Sequence, residues 1–175
     1  MAKFLDVDGL QHLVSTYIKP ELTDYVNNKE KNLVPLDFSV SDSSLTVTYA
    51  NNKLVINGSP TKAQSAYSTV YLNAGTYALS GCPSGGGVET YQCELRTTTG
   101  STLAVTDIGN GTTFILQTSG NYRYNVRIAG GYTASNLEIS PMICTLDDWN
   151  VSHSYEPYKK NIASNSEIMT MWENN

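Results

Sequence analysis

Residues 122–128 read Tyr122-Arg123-Tyr124-Asn125-Val126-Arg127-Ile128, and this run decides the fold class. Tyr122, Tyr124, Val126 and Ile128 fall on one side of an extended chain, and Arg123, Asn125 and Arg127 on the other. Side chains alternate across a strand with a period of two, so the stretch offers one face to a core and one to water. On a helix the same polar residues would be scattered around the axis, and neither face would be clean.

The pattern recurs outward from there. Tyr91, Cys93 and Leu95 alternate with Gln92, Glu94 and Arg96; Tyr77 and Leu79 alternate with Thr76, Ala78 and Ser80; Leu45, Val47 and Tyr49 alternate with Thr46 and Thr48. Turn signals punctuate these runs: Asn51-Asn52, Asn57-Gly58, Ala74-Gly75, Pro83 to Gly87, Asn110-Gly111, Gly120-Asn121 and Gly130-Gly131. Short strands at this spacing, with no helical pattern between them, predict an all-β domain over residues 31–158, an antiparallel β-sandwich or jelly roll of about eight to ten strands.

Either side of that domain the period changes. Within residues 1–30, Leu10, Leu13, Val14, Tyr17, Ile18, Leu22, Tyr25 and Val26 recur at three and four, the stripe of a short amphipathic helical segment. Asp8 is placed to cap it, and Pro20 breaks it into two pieces. Helices this short are marginal alone, so the stripe must pack, either on the β domain or in a bundle with copies of itself. Within residues 159–175, Ser164 to Glu167 fits a capping box ahead of Ile168, Met169 and Trp172, which allows a short C-terminal helix.

Composition narrows the function. Charged residues are only 15% of the chain, below the roughly 25% of an average soluble domain. Ser, Thr and Asn, which suit strands and turns, take their place. The eleven Lys and Arg are scattered and the net charge is −5, which predicts no nucleic-acid partner. No stretch approaches the ~20 apolar residues of a membrane span, and the opening MAKFLDVDGL lacks the order of a signal peptide, so synthesis in a cytoplasm is expected. Cys82, Cys93 and Cys144 are an odd number; a Cys82–Cys93 bridge across a hairpin is conceivable, but reduced thiols are expected.

Catalytic ingredients are sparse. His12 and His153 stand at no metal-ligand spacing, and there is no HExxH, CxxC, GxSxG or phosphate-loop motif. Ser84-Gly85-Gly86-Gly87 has no following helix and reads as a flexible hairpin tip. Glu89, Glu94, Glu138, Asp107, Asp147 and Asp148 supply carboxylates for a glycosidase pair, yet Glu94 and Glu138 lie in the outward phase of strands, where charges ordinarily belong. The loop Asp107 to Asn110 reads as an ordinary turn ahead of a calcium site. The expectation is therefore no enzyme, no catalytic or metal residues and no cofactor. Binding has better material: Tyr132, Trp149, Tyr155 and Tyr158 fall outside strand phase, where a ring can meet the apolar face of a sugar. Arg96, Arg123 and Arg127, on outward phases, share one exposed sheet face. Tyr132, Trp149, Tyr155, Arg96, Arg123 and Arg127 are the glycan-binding candidates, with an ordinary solvated β-face the competing explanation.

Several stretches also resemble phage proteins. Ala2 to Ile18 (AKFLDVDGLQHLVSTYI) resembles the opening of small structural proteins in phages and prophages of gut Gram-positive bacteria: an acidic pair, Gly-Leu, then an amphipathic helix. Leu45 to Ser59 (LTVTYANNKLVINGS), Leu72 to Gly87 (LNAGTYALSGCPSGGG) and Val126 to Ile143 (VRIAGGYTASNLEISPMI) resemble the β-modules of tail, baseplate and fibre proteins, and Ser154 to Tyr158 (SYEPY) resembles their ending. The resemblance implies a jelly roll akin to carbohydrate-binding modules, displayed on an oligomeric tail or head fibre or a capsid surface. It implies no catalytic set and transfers no individual functional residue. The chain departs from a full fibre in having no long heptad shaft or repeats.

These readings together predict a virion structural protein, made in the host cytoplasm and carried on the virion. A homo-oligomer, with a trimer favoured, forms through residues 1–30. Other virion proteins and host-surface polysaccharide are its expected partners, with neither nucleic acid nor membrane among them. The alternative is a free carbohydrate-binding module or adhesin without catalytic activity.

Overall fold

A computed structural model describes residues 31–159, with the side chains of Thr102 and Ala104 excepted. The amphipathic segment 1–30, with its oligomerisation stripe and His12, and the capping-box tail beyond 159 lie outside the described residues.

The described chain is all-β and antiparallel throughout. Its strands, in order, are β1 Ser39–Val40, β2 Leu45–Ala50, β3 Lys53–Gly58, β4 Gln64–Leu72, β5 Gly75–Ser80, β6 Tyr91–Thr97, β7 Thr102–Asp107, β8 Thr112–Leu116, β9 Gly120–Ile128, β10 Ala134–Ile139 and β11 Met142–Thr145, succeeded by one short helix, α1, Leu146–Val151. They form a five-stranded sheet, β1-β4-β9-β6-β7, and two three-stranded sheets, β10-β3-β2 and β11-β5-β8. Among the described residues no helix is long and apolar enough to cross a membrane.

The run Tyr122 to Ile128 is the centre of the five-stranded sheet. β9 pairs along its whole length with β4, from Leu72↔Gly120 to Gln64↔Ile128, and on its other side with β6. Tyr124, Val126 and Ile128 are fully buried, as are Cys93 and Leu95 beside them, and the core they join draws on all three sheets. Tyr124 fits an apolar core because its hydroxyl donates to the Ser80 carbonyl at 2.8 Å while Phe38 meets its ring edge-on at 6.0 Å. Burial pushes that hydroxyl well above the ordinary tyrosine range.

The turns were legible in part. Asn51 and Asn52 take positive φ of 52° and 59°, the two-residue hairpin conformation that keeps the right-handed twist of β2 and β3, and Ala50 pairs with Lys53 across it. Asn57-Gly58 is not a turn: both residues belong to β3, with Gly58 facing Leu45 and Ala134. The Asn57 side chain instead accepts the Asn136 N–H at 2.7 Å, at a register shift where Asn136 has φ 50°. Gly120-Asn121 likewise opens β9 and is not part of the turn before it. The tip Ser84 to Gly87 is tied down, with the Tyr91 hydroxyl donating to the Ser84 carbonyl at 2.8 Å and the Thr90 hydroxyl to that of Gly85 at 3.1 Å.

All three cysteines are free and buried. Burial, and next to it the hydrogen bond with Cys82, hold the Cys93 thiol well above its usual range; burial pushes that of Cys144 up to about 11.

Candidate functional site

The alternation of β5 predicts one wet face, but Tyr77, Ala78, Leu79 and Ser80 are all buried. The segment after β11 covers the outer side of β5. Thr145 caps α1, accepting the Asp148 N–H at 3.2 Å while its hydroxyl donates to the Asp148 carboxylate at 2.5 Å, and Asp147 and Asp148 place negative charge in the first turn. Six residues make no stable helix alone, so packing has to hold it. Trp149 of α1 and Tyr155 beyond it pack on Ala78, Met142 and Cys144, a small second cluster on the outer side of the β11-β5-β8 sheet.

The start of the described chain clamps this segment. The Lys31 ammonium donates to the carbonyls of Ser152 and Ser154 at 2.8 and 2.9 Å and lies 3.5 Å from the Glu156 carboxylate. The Asn32 amide donates to the carbonyls of Pro141 and Glu156 at 2.8 and 2.9 Å. Tyr155 completes the attachment by donating its hydroxyl to the Asn52 carbonyl. The Ser154 to Tyr158 stretch is therefore anchored by side chains more than a hundred residues upstream, and Trp149 stands on a helix, not on a loop.

Between this segment and the β7–β8 loop lies a cavity of about 230 Å³, with Trp149, Tyr155 and Met142 on its apolar side and Ser80, Asn110 and His153 among its polar lining. The Trp149 indole is held on two sides. His153 stacks on it with ring centroids 4.2 Å apart and planes 15° from parallel. Gly111, at φ 73°, lies so close that a Cβ there would fall 2.8 Å from two indole carbons. The loop is shaped by Asp107, which is buried: one carboxylate oxygen accepts the N–H groups of Gly109, Asn110 and Gly111 at 2.8–3.0 Å, and the other that of Cys82 at 2.9 Å. Four backbone donors occupy the carboxylate, so this loop is an aspartate-braced turn. Among the described residues no three His, Cys, Asp or Glu side chains gather as a metal site requires.

Aromatic carbon together with hydroxyl, amide and imidazole groups lines a cavity that can take a small polyhydroxylated ring. At about 230 Å³ it falls below the roughly 300–1,000 Å³ of ordinary small-molecule sites, so it holds about one ring.

The sequence candidates thus divide among three places. Trp149 and Tyr155 come together at the cavity. Tyr132 lies elsewhere, half-buried, its ring edge-on to Tyr91 at 5.6 Å. Arg96 and Arg123 are cross-strand partners on the outer face of the five-stranded sheet; Arg127 follows on β9 and donates to the Val88 carbonyl at 2.8 Å. Glu94 shares that outward phase yet is only 3% exposed: Gln92, Arg96 and Asn125 all donate to its carboxylate, which is why a charge can be buried there. His153 and Asn110 were not singled out as binding residues in the sequence. Thr145-Leu146-Asp147-Asp148 does carry the capping signal for the helix that organises them.

Compared with models of known protein families and with curated protein sequences, the chain matches none.

Proposed function

We propose that the chain is a phage-type virion structural protein, of a tail or head fibre or a decoration, whose β domain holds host-surface glycan weakly and without catalysis. In this reading the three sheets are the two layers of a jelly roll, with β1-β4-β9-β6-β7 facing a layer in which β8-β5-β11 continues into β10-β3-β2. Two features support it: the core is shared by all three sheets, and only Ser140 and Pro141 separate β10 from β11. Residues 1–30 supply the homo-oligomer, a trimer, and the contact with other virion proteins.

The observation that carries the binding half is the cavity at Trp149, His153 and Tyr155. A site for about one sugar ring gains little from each contact, because sugar hydroxyls are well solvated before binding. Repetition on an oligomer turns weak contacts into useful avidity. The experiment is pulldown of the full-length protein on purified cell-wall polysaccharide from Gram-positive bacteria, with light scattering to count subunits. A trimer that binds through Trp149 supports the proposal. A monomer refutes the assembly half, and failure to bind any wall polysaccharide refutes the glycan half.

A further inference from the structure

The outer face of the five-stranded sheet carries an uncompensated charge. Arg96 and Arg123 stand directly opposite each other on β6 and β9, and like charges so placed repel. Arg96 is compensated: its Nε meets the Glu94 carboxylate at 2.6 Å, and its Nη1 donates to the Gly100 carbonyl at 2.9 Å. Arg123 is not. Its guanidinium lies over the Tyr67 ring at 4.4 Å, its Nε is buried without an acceptor, and no described residue gives it an ion pair. Glu94 cannot serve it, since that carboxylate is already engaged by Gln92, Arg96 and Asn125. The residue as a whole is only half-buried, and no described residue accepts from its terminal Nη groups, so those are the donors an incoming oxyanion would engage.

We propose that this face is a second binding surface, separate from the Trp149 cavity, for a polysaccharide bearing an oxyanion, with Arg123 holding the charged group. Three arginines against one carboxylate make the face positive on a chain whose net charge is −5, so its field is opposite in sign to that of the chain as a whole. A guanidinium presents a planar fork of donors that matches a carboxylate or a phosphate, which an ammonium does not. Tyr71, 61% exposed and in the same phase of β4 as Tyr67, stands opposite Asn121, two positions along β9 from Arg123, so the same face also carries an exposed ring for a sugar.

The test is calorimetric titration of the full-length chain with three soluble oligomers of equal length: an oligoglucuronate, an oligo(glycerol phosphate) and a neutral glucan. One acidic oligomer is expected to bind more tightly than the neutral one, with an advantage that shrinks as salt screens the charges. The acidic arm that binds identifies the oxyanion. Arg123→Gln should lose about tenfold or more in affinity, Arg123→Lys should lose most of the carboxylate binding despite keeping its charge, and Ile115→Thr, at an exposed position of β8 in another sheet, should change nothing. Should Arg123→Gln fail to fold, the Tyr67 ring protons of the wild-type chain report instead, and they must shift as the acidic oligomer is added. Neither acid binding, acid binding with no more affinity than the neutral glucan, an unchanged acid affinity in Arg123→Gln, or unmoved Tyr67 resonances would each overturn the proposal.

Discussion

Replacing Lys31 by methionine keeps the aliphatic stem and removes the ammonium that clamps residues 152–156. Lys31 is 8% exposed and donates to two backbone carbonyls, so this is not a surface ion pair. Hydrogen bonds from a charged group contribute about 1.5–3 kcal/mol each, but both carbonyls can recover water once the clamp opens, so the loss should be about 2–4 kcal/mol in all. For a chain of this size that is a fall in Tm of roughly 6–12 °C. Glu156→Gln touches the other end of the same ion pair, but Glu156 is 49% exposed at 3.5 Å, and such pairs contribute below about 1 kcal/mol. Thermal melts of the two variants, monitored by far-ultraviolet circular dichroism, should therefore separate clearly. A Lys31→Met melt within about 2 °C of wild type, or equal losses in both variants, would show that the clamp does not hold the segment.

Three further outcomes rest on the packing. Cys93→Ala should cost about 1–2 kcal/mol in urea unfolding, because the thiol is fully buried in the core, and the wild-type chain should show no two-proton loss by non-reducing mass spectrometry. Cys144 binds its proton more tightly folded than unfolded, so its contribution is complete below pH 9.0 and disappears as pH rises toward about 11; within that window Cys144 by itself should remove up to about 1.4 kcal/mol per pH unit, so the Cys144→Ala variant should lose less than wild type over the same range in urea titrations. Gly111→Ala combines a left-handed backbone with a Cβ placed 2.8 Å from the indole, so it should cost about 1–2 kcal/mol and move the Trp149 fluorescence maximum, where an unmoved spectrum would deny the contact.

The strands were legible because their alternation survives folding: Tyr122 to Ile128 needed only a period of two to be placed in a sheet. What escaped the sequence was burial on the second face. Thr76, Ala78 and Ser80 alternate as a wet face should, yet Ala78 and Ser80 lie under Trp149 and its neighbours, a contact between residues about seventy positions apart that no local pattern records. Glu94 does lie in the outward phase read from the sequence, but it is buried because Asn125 of β9 joins its own strand neighbours Gln92 and Arg96 on its carboxylate. Asn57-Gly58 shows the limit of dipeptide signals, since φ 147° at Gly58 serves a close approach to the Ser44 carbonyl and not a reversal. Of the candidate binding residues chosen by aromatic type and position outside strand phase, the fold brings Trp149 and Tyr155 to one cavity and sets Tyr132 apart, its ring edge-on to Tyr91.

That division makes one comparison decisive for the glycan reading. Full-length wild type, Trp149→Ala and Tyr132→Ala, each confirmed folded and of the same oligomeric state, are titrated with the wall polysaccharide that the wild type retains. Trp149→Ala should lose about tenfold or more in affinity, the equivalent of about 1.4 kcal/mol per site. Tyr132→Ala should bind as wild type while melting lower, because its ring packs on Tyr91 away from the cavity. Unchanged binding in Trp149→Ala, or a loss confined to Tyr132→Ala, would contradict the assignment of the site.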